Sequence, residues 1–176
     1  GLVLMEGGID PTVIVGGKLS GFGGTNARLG HGQWTVVEAD EFDRSFLTLS
    51  PTIAVITNLE REHLDIYSDL DDIKRAFIEF ANKVPFYGFT ALCLDEPSLV
   101  DILPQMKRRV VSYGSTPQCD VRAVDISYSE RTSTFGVVRN GEHLGTLTVG
   151  VPGQHNVKNA LAAVTVGLEV GVPFQS

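Results

Sequence analysis

The run Ile53-Ala54-Val55-Ile56-Thr57 carries no polar side chain before its last residue. A half-exposed strand alternates apolar and polar residues, whereas an unbroken apolar run suits a parallel strand covered on both faces. Leu70–Val84 follows, where Ile73, Phe77, Phe80 and Val84 recur at helical spacing with Asp71, Asp72, Lys74 and Arg75 opposite or beside them. Ala91–Leu94 then reads as a strand, Pro97–Leu103 as a short helix and Arg109–Ser112 as a further strand. Strands alternating with helices predict a parallel sheet with right-handed crossovers.

The flanking segments extend this frame. Thr12–Val15, between Pro11 and Gly16-Gly17, and Trp34–Glu38 read as strands, and the five glycines of Lys18–Gly32 mark a long loop of functional interest. Gly1–Met5 reads as the tail of a helix closed at Gly7-Gly8, so the chain is expected to be truncated at its start. Past residue 120 the pattern changes. Val121–Tyr128, Ser133–Arg139 and Leu144–Val149 are β-rich, and Asn140-Gly141 is a hairpin signal between the last two. His155–Val170 is an alanine-rich helix entered through Pro152-Gly153 and ended at Gly171. The predicted fold is α/β: a mainly parallel sheet flanked by helices, with a small antiparallel extension near residues 120–150. Residues 1–172 form one domain and 173–176 begin a linker.

A length of 176 residues suits one domain. The net charge of −7 excludes non-specific nucleic-acid binding, which needs clustered Lys and Arg. No apolar run reaches the ~20 residues that span a bilayer, and the first residues lack the basic start of a signal peptide. Cys93 and Cys119 form no CxxC pair and read as free thiols of a cytoplasmic protein.

Four stretches could carry chemistry. Glu38-Ala39-Asp40-Glu41-Phe42-Asp43 places four carboxylates just beyond a strand, where open α/β sheets bind ligands. Such charges suit Mg²⁺, and the alternative is a solvated acidic turn. Thr57–Asp65, with His63 among carboxylates, follows the next strand and is expected on the same rim; a surface histidine is the alternative. Gly21–Arg28 combines exposed backbone amides with the guanidinium of Arg28. His155, Asn156 and Asn159 lie at the start of the last helix, where amides can meet a base edge or merely cap the helix. No GxxxxGK[ST] phosphate loop occurs in the 176 residues.

Taken in order, Thr25-Asn26-Ala27-Arg28-Leu29-Gly30, Val37-Glu38-Ala39-Asp40-Glu41, Thr57-Asn58-Leu59-Glu60 with His63-Leu64-Asp65, Pro85-Phe86-Tyr87-Gly88 and Pro152-Gly153-Gln154-His155-Asn156 with Asn159-Ala160 resemble the central domain of the Mur ligase family along essentially the whole chain. The resemblance implies an ATP- and Mg²⁺-dependent ligase of peptidoglycan synthesis that activates a carboxylate as an acyl phosphate. It implies Glu38 and His63 as magnesium ligands with catalytic roles, His155, Asn156 and Asn159 on the nucleotide side, and Asn26 and Arg28 near the substrate. Several members carry a carbamylated lysine on the helix after the histidine motif. Ala76-Phe77-Ile78 has none and Lys74 falls too early, which favours the alanine-adding branch, acting on UDP-N-acetylmuramate and L-alanine. The rivals are the recycling branch, which attaches a preformed tripeptide, and a non-catalytic module. Without a phosphate loop the isolated chain is expected to be inactive, and with open strand edges to self-associate.

Overall fold

A computed structural model describes residues 1–19, 24–60 and 65–176, with Leu19 described by its backbone alone. The described elements are α1 (Leu2–Glu6), β1 (Thr12–Leu19), β2 (Thr25–Arg28), β3 (Thr35–Val37), β4 (Ile53–Ile56), α2 (Leu70–Asn82), β5 (Phe89–Cys93), α3 (Pro97–Ile102), β6 (Val110–Gly114), β7 (Val121–Tyr128), β8 (Ser133–Arg139), β9 (Glu142–Val149) and α4 (Gln154–Glu169). The expected α/β architecture is present. One sheet has the order β4-β5-β6-β7-β8-β9, and a separate three-stranded sheet has the order β2-β1-β3.

In the larger sheet β4 to β7 are parallel, and β7, β8 and β9 form the antiparallel extension. The extension is hydrogen-bonded into the main sheet through Tyr113–Val121 and Gly114–Arg122. Asn140 and Gly141, at φ 49° and 88°, make the left-handed turn that joins β8 to β9. The core gathers β5, which is buried throughout, the apolar face of α2 (Ile73, Ala76, Phe80) and Val157, Leu161 and Ala162 of α4. Asp69 caps α2, its carboxylate accepting the Asp72 amide at 2.7 Å. Among the described residues no helix is long and apolar enough to cross a membrane.

Several boundaries differ from the sequence reading. β1 runs through Gly16 and Gly17 to Leu19, and part of the expected loop Lys18–Gly32 is β2, antiparallel to β1. Residues 20–23 of that stretch lie outside the described residues. Val55 is 44% exposed, so β4, an edge strand, is not covered on both faces. At the end of α1 it is Gly8, not Gly7, that takes the left-handed conformation. β3 ends before Glu38, which lies in the loop beyond it. The chain's last residues are also packed: Val172 is buried, and the Phe174 ring lies against Gly145 of β9.

Candidate functional site

Parallel strands bring their carboxyl ends to one rim, and in this fold that rim collects most of the polar clusters seen in the sequence. β1 and β3 are parallel, so Glu38, as the chain leaves β3, comes beside Gly16 within β1. The Glu38 carboxylate accepts the Gly16 amide at 2.7 Å and is otherwise exposed. The chain then runs through Ala39 and Glu41 onto the end of β4. There, Ala39, Glu41, Thr57, Asn58, Glu60 and Tyr67 help line a cleft of about 130 Å³ floored by Ile56, Ile73 and Phe77. The two acidic stretches therefore meet at one cleft, although β3 and β4 belong to different sheets. His63 lies outside the described residues.

The acidic stretch is shaped by its own side chains. Asp40 accepts the Phe42 amide at 2.8 Å, and Asp43 accepts the Ser45 amide at 2.9 Å at the start of a 3-10 turn, Ser45–Thr48. The bonds from Ser45 hold the Asp43 carboxyl below the usual carboxylate range. Among the described residues no three His, Cys, Asp or Glu side chains converge into a ready-made metal cage. What the rim offers is separate hard oxygens: the Glu38, Glu41 and Glu60 carboxylates and the Asn58 amide. That donor set fits magnesium, which keeps its own waters and shares phosphate oxygens instead of filling a protein cage.

Further along the rim, past β5 and β6, stands the start of α4. Asp95 accepts the Ser115 amide at 2.8 Å and the Thr116 amide at 3.3 Å, tying the two strand ends together. Lys158, in the first turns of α4, pairs with Glu96, and this contact raises its pKa. His155 and Asn159 are exposed. Asn156 donates to the Pro152 carbonyl at 2.7 Å, and α4 has no side-chain cap, its N-cap being Gly153. At this start the Gly153 amide donates to the Ser133 hydroxyl and the Asn156 amide to the Gly153 carbonyl, both at 3.1 Å, and no side chain of the N-cap residue closes the helix.

The pair expected near the substrate separates. Asn26 is exposed on β2, near the rim-side end of β1, where Thr25 pairs with Leu19. Arg28 pairs with Val13 toward the other end. Its guanidinium bonds the Asp10 carboxylate at 2.5 Å and the Pro11 carbonyl at 2.9 Å. The His31 amide and the Arg28 guanidinium both depress the Asp10 pKa. Lys74 is likewise engaged, with Asp101 of α3 at 3.0 Å, so it does not serve the cleft, where Phe77 stands.

Sequence reasoning missed Arg44, Tyr67 and Asp72. The Tyr67 hydroxyl donates to the Glu41 carbonyl at 2.7 Å. Arg44 lies over the Tyr67 ring, 4.5 Å from its centre, and bonds Asp72 at 2.5 Å. Nothing periodic marks them; the one available signal was an aromatic with a polar tip in a loop, which needs a partner when buried.

The chain is 55% identical over 173 residues to a UDP-N-acetylmuramate–L-alanine ligase of Syntrophotalea carbinolica, covering 98% of the chain and 38% of that relative. Among solved structures it resembles the UDP-N-acetylmuramate:L-alanyl-γ-D-glutamyl-meso-diaminopimelate ligase of Neisseria meningitides, with a TM-score of 0.84 and 29% identity over 97% of the chain and 56% of that protein. It also resembles the UDP-N-acetylmuramate–alanine ligase of Thermotoga maritima, with a TM-score of 0.79 and 26% identity over 96% of the chain and 37% of that protein. The chain thus spans about two fifths of the length of the curated relative it matches. Residues 29–167 match the model of the Mur ligase middle domain, and the chain belongs to the Mur ligase family.

Proposed function

We propose that the protein containing these residues is an ATP-dependent ligase that joins L-alanine to the carboxylate of UDP-N-acetylmuramate in cytoplasmic peptidoglycan synthesis. Residues 1–172 would be its central, ATP-handling domain. The observation that carries this reading is the 55% identity to an L-alanine-adding relative over 98% of the chain. The rim supplies the physical support. Activating a carboxylate with ATP brings anion against anion, and magnesium, when bound, would offset that charge and align the phosphates. Glu38 and His63 are assigned as its protein ligands, with the neutral imidazole orienting metal or substrate. Glu38 suits this role because its carboxylate is fixed through Gly16 while facing solvent. His155, Asn156 and Asn159 would meet the nucleotide at the open start of α4, and Asn26 the sugar substrate. Arg28, engaged with Asp10, would act there mainly by holding β2 in place.

The test is ADP release by the full-length protein with UDP-N-acetylmuramate and either L-alanine or the preformed tripeptide. Turnover with L-alanine is expected; turnover with the tripeptide alone would assign the recycling branch, which the Neisseria likeness keeps in view. Glu38→Ala should lower turnover by about 10²–10³, the usual cost of losing such charge stabilisation, and shift its magnesium dependence, with Asp71→Ala as the control. Residues 1–176 alone, lacking a phosphate loop, should give no ligation.

A further inference from the structure

The acidic segment after β3 and the segment that leads into α2 come from different sheets, so something must fix their separation. Three side chains do so. Tyr67 is 1% exposed, and its hydroxyl donates to the Glu41 carbonyl at 2.7 Å. Arg44 covers the ring and reaches Asp72, which also accepts the Ser68 amide at 3.2 Å. Arg44 itself has φ 62°, a left-handed conformation rare outside glycine, so the chain's exit from the acidic segment is held in an uncommon geometry. One phenol therefore ties the backbone of Glu41 to the far wall of the cleft, and a guanidinium–carboxylate pair holds the phenol.

We propose that Tyr67, fastened by Arg44 and Asp72, is a positioning residue that sets the spacing between the Glu38–Glu41 segment and the Thr57–Glu60 segment. It thereby sets how well the rim oxygens match magnesium-bound phosphates. This rests on the reading of the rim as the magnesium–nucleotide site. The argument is one of leverage. Magnesium tolerates little departure from its octahedral distances, so oxygens supplied by two separately anchored segments bind it well only if their separation is fixed. Tyr67 touches no reacting atom; it acts through the backbone of Glu41. The ring supplies packing and the hydroxyl supplies register, and the two roles can be separated because Tyr67→Phe removes only the hydroxyl.

The experiment uses the full-length protein and three measurements. In Tyr67→Phe, the magnesium concentration giving half-maximal turnover should rise about tenfold, at the lower end of the 10–100-fold typical when a residue supporting a metal ligand is lost. Amide exchange of residues 39–44, measured without metal or nucleotide, should quicken severalfold while that of β5 is unchanged, and the thermal midpoint should stay within a few degrees. Asp72→Asn, which weakens the hold on Arg44, should move the first two readouts the same way and less far. Unchanged exchange at 39–44 in Tyr67→Phe overturns the tether. Quickened exchange with unchanged magnesium dependence overturns its role in the site, provided Glu38→Gln does alter that dependence. If Glu38→Gln also leaves it unaltered, the assignment of the rim has failed instead, and the exchange data still decide the tether.

Discussion

Gly88 closes the Pro85-Phe86-Tyr87-Gly88 stretch, and its role is one of space. A Cβ there would lie 2.0 Å from the Thr52 carbonyl oxygen and 2.8 Å from a Val84 methyl, so the loop before β5 passes against the backbone just before β4. Gly88→Ala should therefore destabilise the fold by about 1–3 kcal/mol, the usual cost of overpacking, read as a lower urea midpoint. Phe86 and Tyr87 meet edge to face with ring centres 5.2 Å apart, yet both are largely exposed, so their substitution should matter far less to stability. Titration belongs at this scale too. Burial pushes the Cys93 thiol up from 9.0 to about 11, and burial raises the Tyr113 phenol as well. A group whose pKa is raised on folding holds its proton more tightly in the native state. Its contribution is complete below the unfolded value and is lost as pH climbs toward the folded one. Stability should thus fall between pH 9 and 11, measured by urea midpoints across that range, and Cys93→Ala should flatten the fall. Asp10, Asp43 and Asp72 are shifted the other way by the bonds they accept, so their contribution disappears on acidification below the ordinary carboxylate range.

At the scale of elements, what was legible in the sequence followed from local rules. The unbroken apolar run of β4, the 3.6-residue periodicity of α2 and the Asn140-Gly141 turn each act within a few neighbours, and each appears where expected. β2 was not legible. Thr25-Asn26-Ala27-Arg28 has weak strand propensity beside a glycine-rich stretch, and it is a strand because β1 offers it a hydrogen-bonding edge. The Arg28–Asp10 pair was not legible for the same reason: the partners lie far apart in sequence, and composition cannot show that pairing. The sequence also placed Glu38 and the Thr57 stretch on one rim by assuming neighbouring strands. It is Ala39 and Glu41, just past Glu38, that share a cleft with the Thr57 stretch, across two sheets and by way of Tyr67. The cap of α2 offers a plain check on local encoding. Asp69→Ala removes the acceptor for the Asp72 amide and should cost about 0.5–2 kcal/mol, visible in the thermal midpoint of residues 1–176.

For the molecule as a whole, the decisive fact is that β3 and β4 are both edge strands. Val37 and Val55 are each 44% exposed, and Ile14 is 45% exposed. Unpaired edges carrying exposed β-branched side chains invite pairing between chains. Residues 1–176 should therefore self-associate with rising concentration, and light scattering that shows a monomer throughout would contradict this. Val55→Lys, a charge on the edge strand, should shift the equilibrium toward the monomer.

The two sheets also differ in how much lies beneath them. β5 is buried along its whole length, whereas β2 and β3 have no fully buried residue and, among its described side chains, β1 keeps one, Val13. Free energy of local opening follows buried apolar contact, so the molecule has a stiff half and a yielding half. The residues assigned to nucleotide stand on the stiff half. Glu38 and Asn26 ride on the yielding one, which is anchored to the rest through the Tyr67 phenol and its guanidinium lid, through Phe46 against Phe77 and Phe80, and through α1 against α4. A chain built this way can hold its proposed nucleotide side still while its proposed sugar side adjusts to what arrives.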